Sequence, residues 1–117
     1  MHNFKELKVW NKSVELSLEI YRISMGFPAE EKFGLTSQIR RCSVSIPSNI
    51  AEGTGRKTPK DFYSFLSNAL ASSFELETQL IIACRLNMIT DPQHENISSQ
   101  VREVQKMIIG LQRSLNI

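Results

Sequence analysis

The stretch LTSQIRRCSVSIPSNI, residues 35–50, sets apolar side chains at Leu35, Ile39, Cys42, Ile46 and Ile50, at spacings of 4, 3, 4 and 4. Such intervals return a side chain to one face of a 3.6-residue helix, whereas a half-buried strand alternates at every second position. The stretch therefore reads as an amphipathic helix. Pro47 lies within it, lacks an N–H and crowds the preceding turn, so a kink is expected between Ser43 and Asn49. Gly53 and Gly55 end the element. A start near Ala29 or Glu30 would put Glu30 and Glu31 at the positive end of the helix dipole.

Downstream, Thr58 is placed as an N-cap, with Pro59 at the first helical position and Asp61 three residues after the cap. Phe62, Phe65, Leu66, Ala69, Leu70, Leu76, Leu80 and Ala83 carry the pattern to about Met88. Small residues at Ala69, Ala71, Ser72 and Ser73 allow a neighbouring helix to approach closely. A further helix opens with Asp91 as cap and Pro92 behind it, and Ile97, Val101, Val104, Ile108, Leu111 and Leu115 repeat at 4, 3, 4, 3 and 4. That is the spacing of a coiled-coil-like seam. Upstream, Leu7, Trp10, Val14, Leu18 and Tyr21 form a stripe between Phe4 and Met25, flanked by Val9, Leu16, Ile20 and Ile23. Gly26-Phe27-Pro28 should stop this first helix, with Gly26 taking the left-handed cap. Four helices joined by short connections make neighbours antiparallel. The expected class is all-α: one antiparallel up-and-down four-helix bundle over residues 1–117.

A chain of 117 residues with 41% apolar and 22% charged residues can bury a core without metal or disulfide staples. Fourteen Lys and Arg against twelve Asp and Glu leave +2, so electrostatic function has to come from local clustering. No apolar run approaches the roughly 20 residues of a membrane span, so no membrane partner is expected. The first ten residues lack the apolar core of a signal peptide, and Cys42 and Cys84 form no CxxC. A reducing cytoplasm is the expected location.

Catalysis needs a nucleophile beside a base, or paired acids, and the chain offers only His2 and His94 with no convincing partner for either. Asp91 and His94 share a helical spacing, yet a di-metal bundle needs Glu-x-x-His on two helices plus further carboxylates. Gly53-Thr54-Gly55-Arg56-Lys57-Thr58 has one residue between its glycines where a Walker loop has four, and a helix where that loop has a strand. The thiols read as small core residues. No enzyme, metal or cofactor is expected.

Two polar rows are more informative. Gln38, Arg41, Ser45, Asn49 and Glu52 recur at 3, 4, 4 and 3 beside the apolar row of the second helix, and Ser64, Asn68, Ser72, Glu75 and Gln79 do so on the third. They are either solvated faces or a contact between copies, with Arg41 or Arg40 pairing Glu52 or Glu75. The candidate oligomer contact is Gln38, Arg41, Asn49, Glu52 and Glu75. Arg56, Lys57 and Lys60 cluster at the turn between helices two and three, with Arg40 and Arg41 upstream and Glu52 the lone acid from residue 40 to 60. These five cations are the candidate contacts to an RNA or DNA backbone. Lys5, Lys8 and Lys12 on the first helix and Arg102, Lys106 and Arg113 on the last are weaker groups.

The run Phe33-Gly34-Leu35-Thr36-Ser37-Gln38-Ile39-Arg40-Arg41, then Ser45-Ile46-Pro47-Ser48-Asn49-Ile50-Ala51-Glu52-Gly53, resembles the four-helix bundle proteins encoded in intervening sequences of bacterial 23S ribosomal RNA genes. Phe4 to Trp10, Arg56, Asp61-Phe62, Phe65-Leu66 and Ser73 to Leu80 extend the likeness over essentially the whole chain. The resemblance implies a ring-like homopentamer and no known enzymatic activity. Its relatives include the accessory protein of diversity-generating retroelements, a basic pentameric barrel that binds nucleic acid and a reverse transcriptase. Expected partners are therefore further copies of the chain and RNA or DNA, or else a protein docked on a ring that serves as an interaction scaffold.

Overall fold

Short-range signals start and stop most of the elements. The structure, a computed structural model, describes residues 3–117; His2 lies outside the described residues. Four helices follow in order: α1 (Lys8–Ser24), α2 (Leu35–Thr54), α3 (Pro59–Arg85) and α4 (Asp91–Ser114), with 3₁₀ turns at Phe4–Glu6 and Ala29–Glu31. No strand occurs among the described residues.

The start of α3 is as expected: the Thr58 hydroxyl accepts from the Asp61 amide at 3.1 Å, and Pro59 occupies the first turn where its missing N–H costs nothing. Its other end falls at Arg85 rather than Met88. Asn87 takes a left-handed conformation (φ 59°), and the Met88 and Asn87 amides donate to Ala83 and Cys84 carbonyls at 2.9 and 3.0 Å. That is a Schellman close with Asn where Gly is commoner. The cap of α4 is Thr90, one residue before the expected Asp91. Thr90 and Gln93 bond reciprocally, Gln93 N–H to Thr90 Oγ1 at 3.2 Å and Thr90 N–H to Gln93 Oε1 at 2.8 Å.

The ends of α1 and the start of α2 depart further from expectation. Leu7 is extended, so residues 4–6 form a separate turn, and α1 closes at Ser24 without a left-handed glycine. After Ala29–Glu31, α2 begins only at Leu35, because the Glu31 carboxylate accepts from the Leu35 amide at 3.1 Å and supplies the cap. The helix then runs through Pro47 to Thr54.

In the core, Ile20, Ile39, Ile46, Ile50, Leu66, Leu76, Leu80 and Ile108 lose all contact with solvent. Each helix packs on two neighbours: α1 against α2 and α4, α3 against α2 and α4. The 27 residues of α3 correspond to about 40 Å, close to the 43 Å long dimension. Ala69 and Ser73 are wholly buried, which allows the close approach expected of the small residues there.

On α1 the buried face is shifted within the expected stripe, toward the flanking row. Val9, Ser13, Leu16, Ser17 and Ile20 are buried, while Leu18 and Tyr21 are 50% and 43% exposed. Serines can face inward because their hydroxyls bond to carbonyls one turn back, Ser13 Oγ to Trp10 O at 2.8 Å and Ser24 Oγ to Tyr21 O at 3.2 Å. Small side chains bring α1 close to α2. Between α3 and α4 the ties are buried glutamines: Gln105 Nε2 donates to Glu77 at 2.8 Å and Gln112 Nε2 to Ser67 Oγ at 2.9 Å.

Candidate nucleic-acid interface and the α2–α3 groove

The five cations that are close in sequence fall into three places. Arg56, Lys57 and Lys60 are exposed together where α2 gives way to α3. The Arg56 guanidinium lies over the Phe65 ring, 4.5 Å from its centroid, which holds the charge on the surface. Gly53, Thr54, Arg56, Lys57, Thr58 and Pro59 line a hollow of about 110 Å³ with Phe62 and Leu115. The N-terminus of α3 opens on it, adding the positive end of a 27-residue helix dipole. Among the described residues the ion pairs are Lys12 with Glu103, at 3.4 Å, and Arg22 with Glu19. Among the described residues none of the three end cations is in an ion pair, whereas Lys12 is.

Arg40 points elsewhere. Its Nε donates to Ser24 Oγ at 2.8 Å, an Nη to Tyr21 O at 3.4 Å, and its guanidinium sits 4.8 Å over the Tyr21 ring. Tyr21 O is one of the last carbonyls of α1, so Arg40 caps that helix and joins it to α2. Arg41, one residue on, is exposed on a different side. Consecutive helical residues point about 100° apart, and fifteen residues from Arg41 to Arg56 correspond to roughly 20 Å along the axis.

Arg41 opens onto a groove of about 460 Å³ between α2 and α3, lined also by Phe33, Ser37, Gln38, Cys42, Ser45, Ser72, Glu75 and Gln79. Of the five candidate oligomer residues, Gln38, Arg41 and Glu75 meet here. Asn49 is engaged within α2, its Nδ2 donating to Ser45 O at 2.8 Å and Ser45 Oγ at 3.0 Å. Glu52 is exposed and does not line the groove. Ser45 and Ser72 hydroxyls bond across the helices at 2.9 Å. Gln79, one member of the polar row on α3, is only 8% exposed, and its Oε1 has no hydrogen-bond partner among the described residues.

Both thiols are held protonated. Cys42 Sγ donates to Ser72 O at 3.1 Å, and burial, then the Glu75 charge, push its pKa up to about 12. Cys84 donates to Asp91 Oδ1 at 3.3 Å, and that bond raises its pKa. Neither is an activated nucleophile. His94 borders a hollow of about 260 Å³ with Glu77, Ile81, Glu95, Ser98 and Arg102. No group of three or more His, Cys, Asp or Glu able to hold a metal is present among the described residues.

A surface not anticipated from the sequence is apolar. Val14, Leu18, Tyr21, Val44 and Pro47, with Ser17, line a groove of about 370 Å³ between α1 and α2. Val14, Leu18 and Tyr21 of the expected α1 stripe supply this outward surface, while Leu7 and Trp10 of the same row pack against the core. Among the described residues no helix is long and apolar enough to cross a membrane.

The fold is shared with a solved protein of unknown function from the S23 ribosomal protein family of Bacteroides thetaiotaomicron VPI-5482. The two are 31% identical, the match covers 90% of this chain and 95% of that one, and the TM-score is 0.83. No curated protein matches the chain. The sequence pattern of the 23S rRNA-intervening sequence proteins matches residues 5–110, and the chain belongs to that family.

Proposed function

We propose that this protein is a non-enzymatic, self-associating helical bundle of the bacterial cytoplasm that binds the backbone of RNA or DNA through the α2–α3 end. The observation that carries the proposal is that Arg56 and Lys57 line a hollow at the N-terminus of α3, with Lys60 exposed in the first turn beside them and none of the three in an ion pair with another described residue. Backbone phosphates are recognised by this combination of cations and helix-end N–H groups. Arg41 can contribute at a distance; Arg40 is engaged in capping α1.

The proposal includes an antiparallel up-and-down topology, a bend at Pro47 and assembly into a ring-like homopentamer. Cross-helix pairs support the topology: Ser17 with Ser43 and Ser24 with Arg40, Ser72 with Cys42 and Phe62 with Gly53, Glu77 with Gln105 and Ser67 with Gln112. In each pair of helices one number rises as the other falls. The ring follows the family resemblance, and the half-exposed Leu18, Tyr21, Val44 and Phe74 offer apolar area for contacts between copies. This surface suits a subunit contact better than the polar row, in which Asn49 is already bonded within its helix. Free Cys42 and Cys84 accord with a reducing compartment.

The test is titration with labelled structured RNA and duplex DNA at low and physiological salt. Backbone binding weakens steeply with salt, and Arg56→Ala with Lys57→Ala reduces the log–log slope by about two. Absence of binding at low salt defeats the proposal. Salt-indifferent capture of a protein would favour the alternative, a docking scaffold.

A further inference from the structure

The groove between α2 and α3 carries charge of both signs and a buried acceptor that no described residue meets with a donor. Arg41 and Glu75 are exposed along it, and neither is in an ion pair with another described residue. Glu75 and Gln79 stand one turn apart on α3, so their acceptor oxygens lie on the same face. Gln79 is more than nine-tenths buried, lines the groove, and leaves Oε1 unpartnered. A buried acceptor in that condition calls for a donor from outside the chain. The groove volume, about 460 Å³, is within the range of small-molecule sites.

The arrangement excludes a phosphate, which would face the Glu75 carboxylate. It favours a neutral planar group with adjacent donors on one edge and acceptors on the other. We propose that the α2–α3 groove binds a guanine base, Glu75 accepting from N1–H and one N2–H, Gln79 Oε1 from the second N2–H, and Arg41 donating to O6 and N7. Three ring and amino hydrogens meet three acceptors, and the carboxylate contact is bidentate. Adenine and cytosine put an acceptor beside their amino donor, and uracil has one N–H between two carbonyls, so each would set a lone pair against Glu75 or leave Gln79 unmet. Phe33, 89% exposed at the rim, offers a face for stacking. Cys42 adds no competing anion to the floor, since its thiol stays protonated.

The inference rests on the nucleic-acid proposal only for the source of the base. A strand held at Arg56 and Lys57 would reach the groove, roughly 20 Å away, in about six nucleotides at 3.4 Å each.

The experiment is calorimetric titration of the full chain with guanosine, which lacks phosphate, and with adenosine. Guanosine binds with a dissociation constant on the order of 0.1–1 mM, adenosine at least about tenfold more weakly, and Glu75→Gln loses about tenfold for guanosine. Glu75 is exposed, and an unchanged circular-dichroism melt of Glu75→Gln shows that the loss is not unfolding. In single-stranded RNA, inosine in place of guanosine removes the N2 donors and lowers affinity for the wild-type protein, and lowers it less for Glu75→Gln, where only the Gln79 contact to N2 is left to lose. Arg56→Ala with Lys57→Ala weakens every RNA and leaves guanosine affinity unchanged. Guanosine binding without RNA binding would keep the guanine site and remove the backbone proposal. Equal binding of guanosine and adenosine, no guanosine binding, or equal binding of L-arginine would overturn the site. A fall in particle mass of Glu75→Gln by light scattering would overturn it in favour of a contact between copies.

Discussion

The hydroxyl of Ser17 on α1 donates to the main-chain carbonyl of Ser43 on α2 at 2.9 Å, the carbonyl whose α-helical donor would be residue 47, a proline. A defect in one helix is thus met by a side chain of its neighbour, in a place where both residues are buried. Ser17 Oγ also lies 3.1 Å from Ser13 O, so the single hydroxyl hydrogen is shared between two carbonyls.

Removing that hydroxyl should cost about 1–2 kcal/mol, the value of a buried hydrogen bond and its orphaned acceptor. In a Pro47→Ala background the residue 47 amide returns, and Ser17→Ala should then cost at most about half as much. Urea unfolding of the four proteins at one concentration measures the coupling. Equal costs in both backgrounds would show that Ser17 does not compensate for Pro47.

Two glycines should respond in opposite senses. A Cβ on Gly53 would stand 2.8 Å from both Phe62 Cδ1 and Phe65 Cβ, inside contact distance, where α2 meets the start of α3. Gly53→Ala should therefore destabilise by about 1–3 kcal/mol. Gly110, in the interior of α4, has nothing within 4 Å of such a Cβ. Gly110→Ala should stabilise by about 0.5–1 kcal/mol through helix propensity. Thermal melts of the two variants check the signs.

Alkaline pH should expose the burial of Cys42. Its folded pKa, raised from 9.0 to about 12, means that the native state keeps a proton the unfolded chain releases. This contribution is complete below pH 9 and is lost progressively as pH rises from there toward 12. Cys42→Ala should flatten that part of the stability curve relative to wild type in denaturant titrations between pH 8 and 11.

Cys84 offers a second thiol test. The Asp91 carboxylate accepts its Sγ–H and raises its pKa. Asp91→Asn, leaving the Thr90–Gln93 capping box intact, should lower that pKa and speed Cys84 labelling by a thiol reagent near pH 8. Cys42→Ala removes the other thiol from the readout. An unchanged rate would mean that Asp91 does not control the thiol.

How much was readable differs from element to element. Thr58-Pro59-Lys60-Asp61 declared the start of α3 because a cap and its amide are three residues apart and need no neighbour. Thr90-Asp91-Pro92-Gln93 held an equally local signal, and the cap falls on Thr90 because Gln93 reciprocates. The α1 face was not readable: Ser13, Ser17 and Ser24 look solvent-facing by polarity, yet each satisfies its hydroxyl within the helix or on α2.

The candidate site divides in the same way. The end cluster Arg56, Lys57 and Lys60 was visible because a turn keeps neighbours in sequence together in space. Arg40 and Arg41 looked like one charge pair, but the helical rotation between them sends Arg40 to Tyr21 and Ser24 and Arg41 into the groove. The apolar periods and breakers of the sequence by themselves determined four helices in an all-α class, since they act within a few residues. Only the tertiary structure decided which polar side chains are spent inside the chain and which, like Arg41, Glu75 and Gln79, are brought together along one groove. That choice depends on which helices pack together, and no local pattern specifies it.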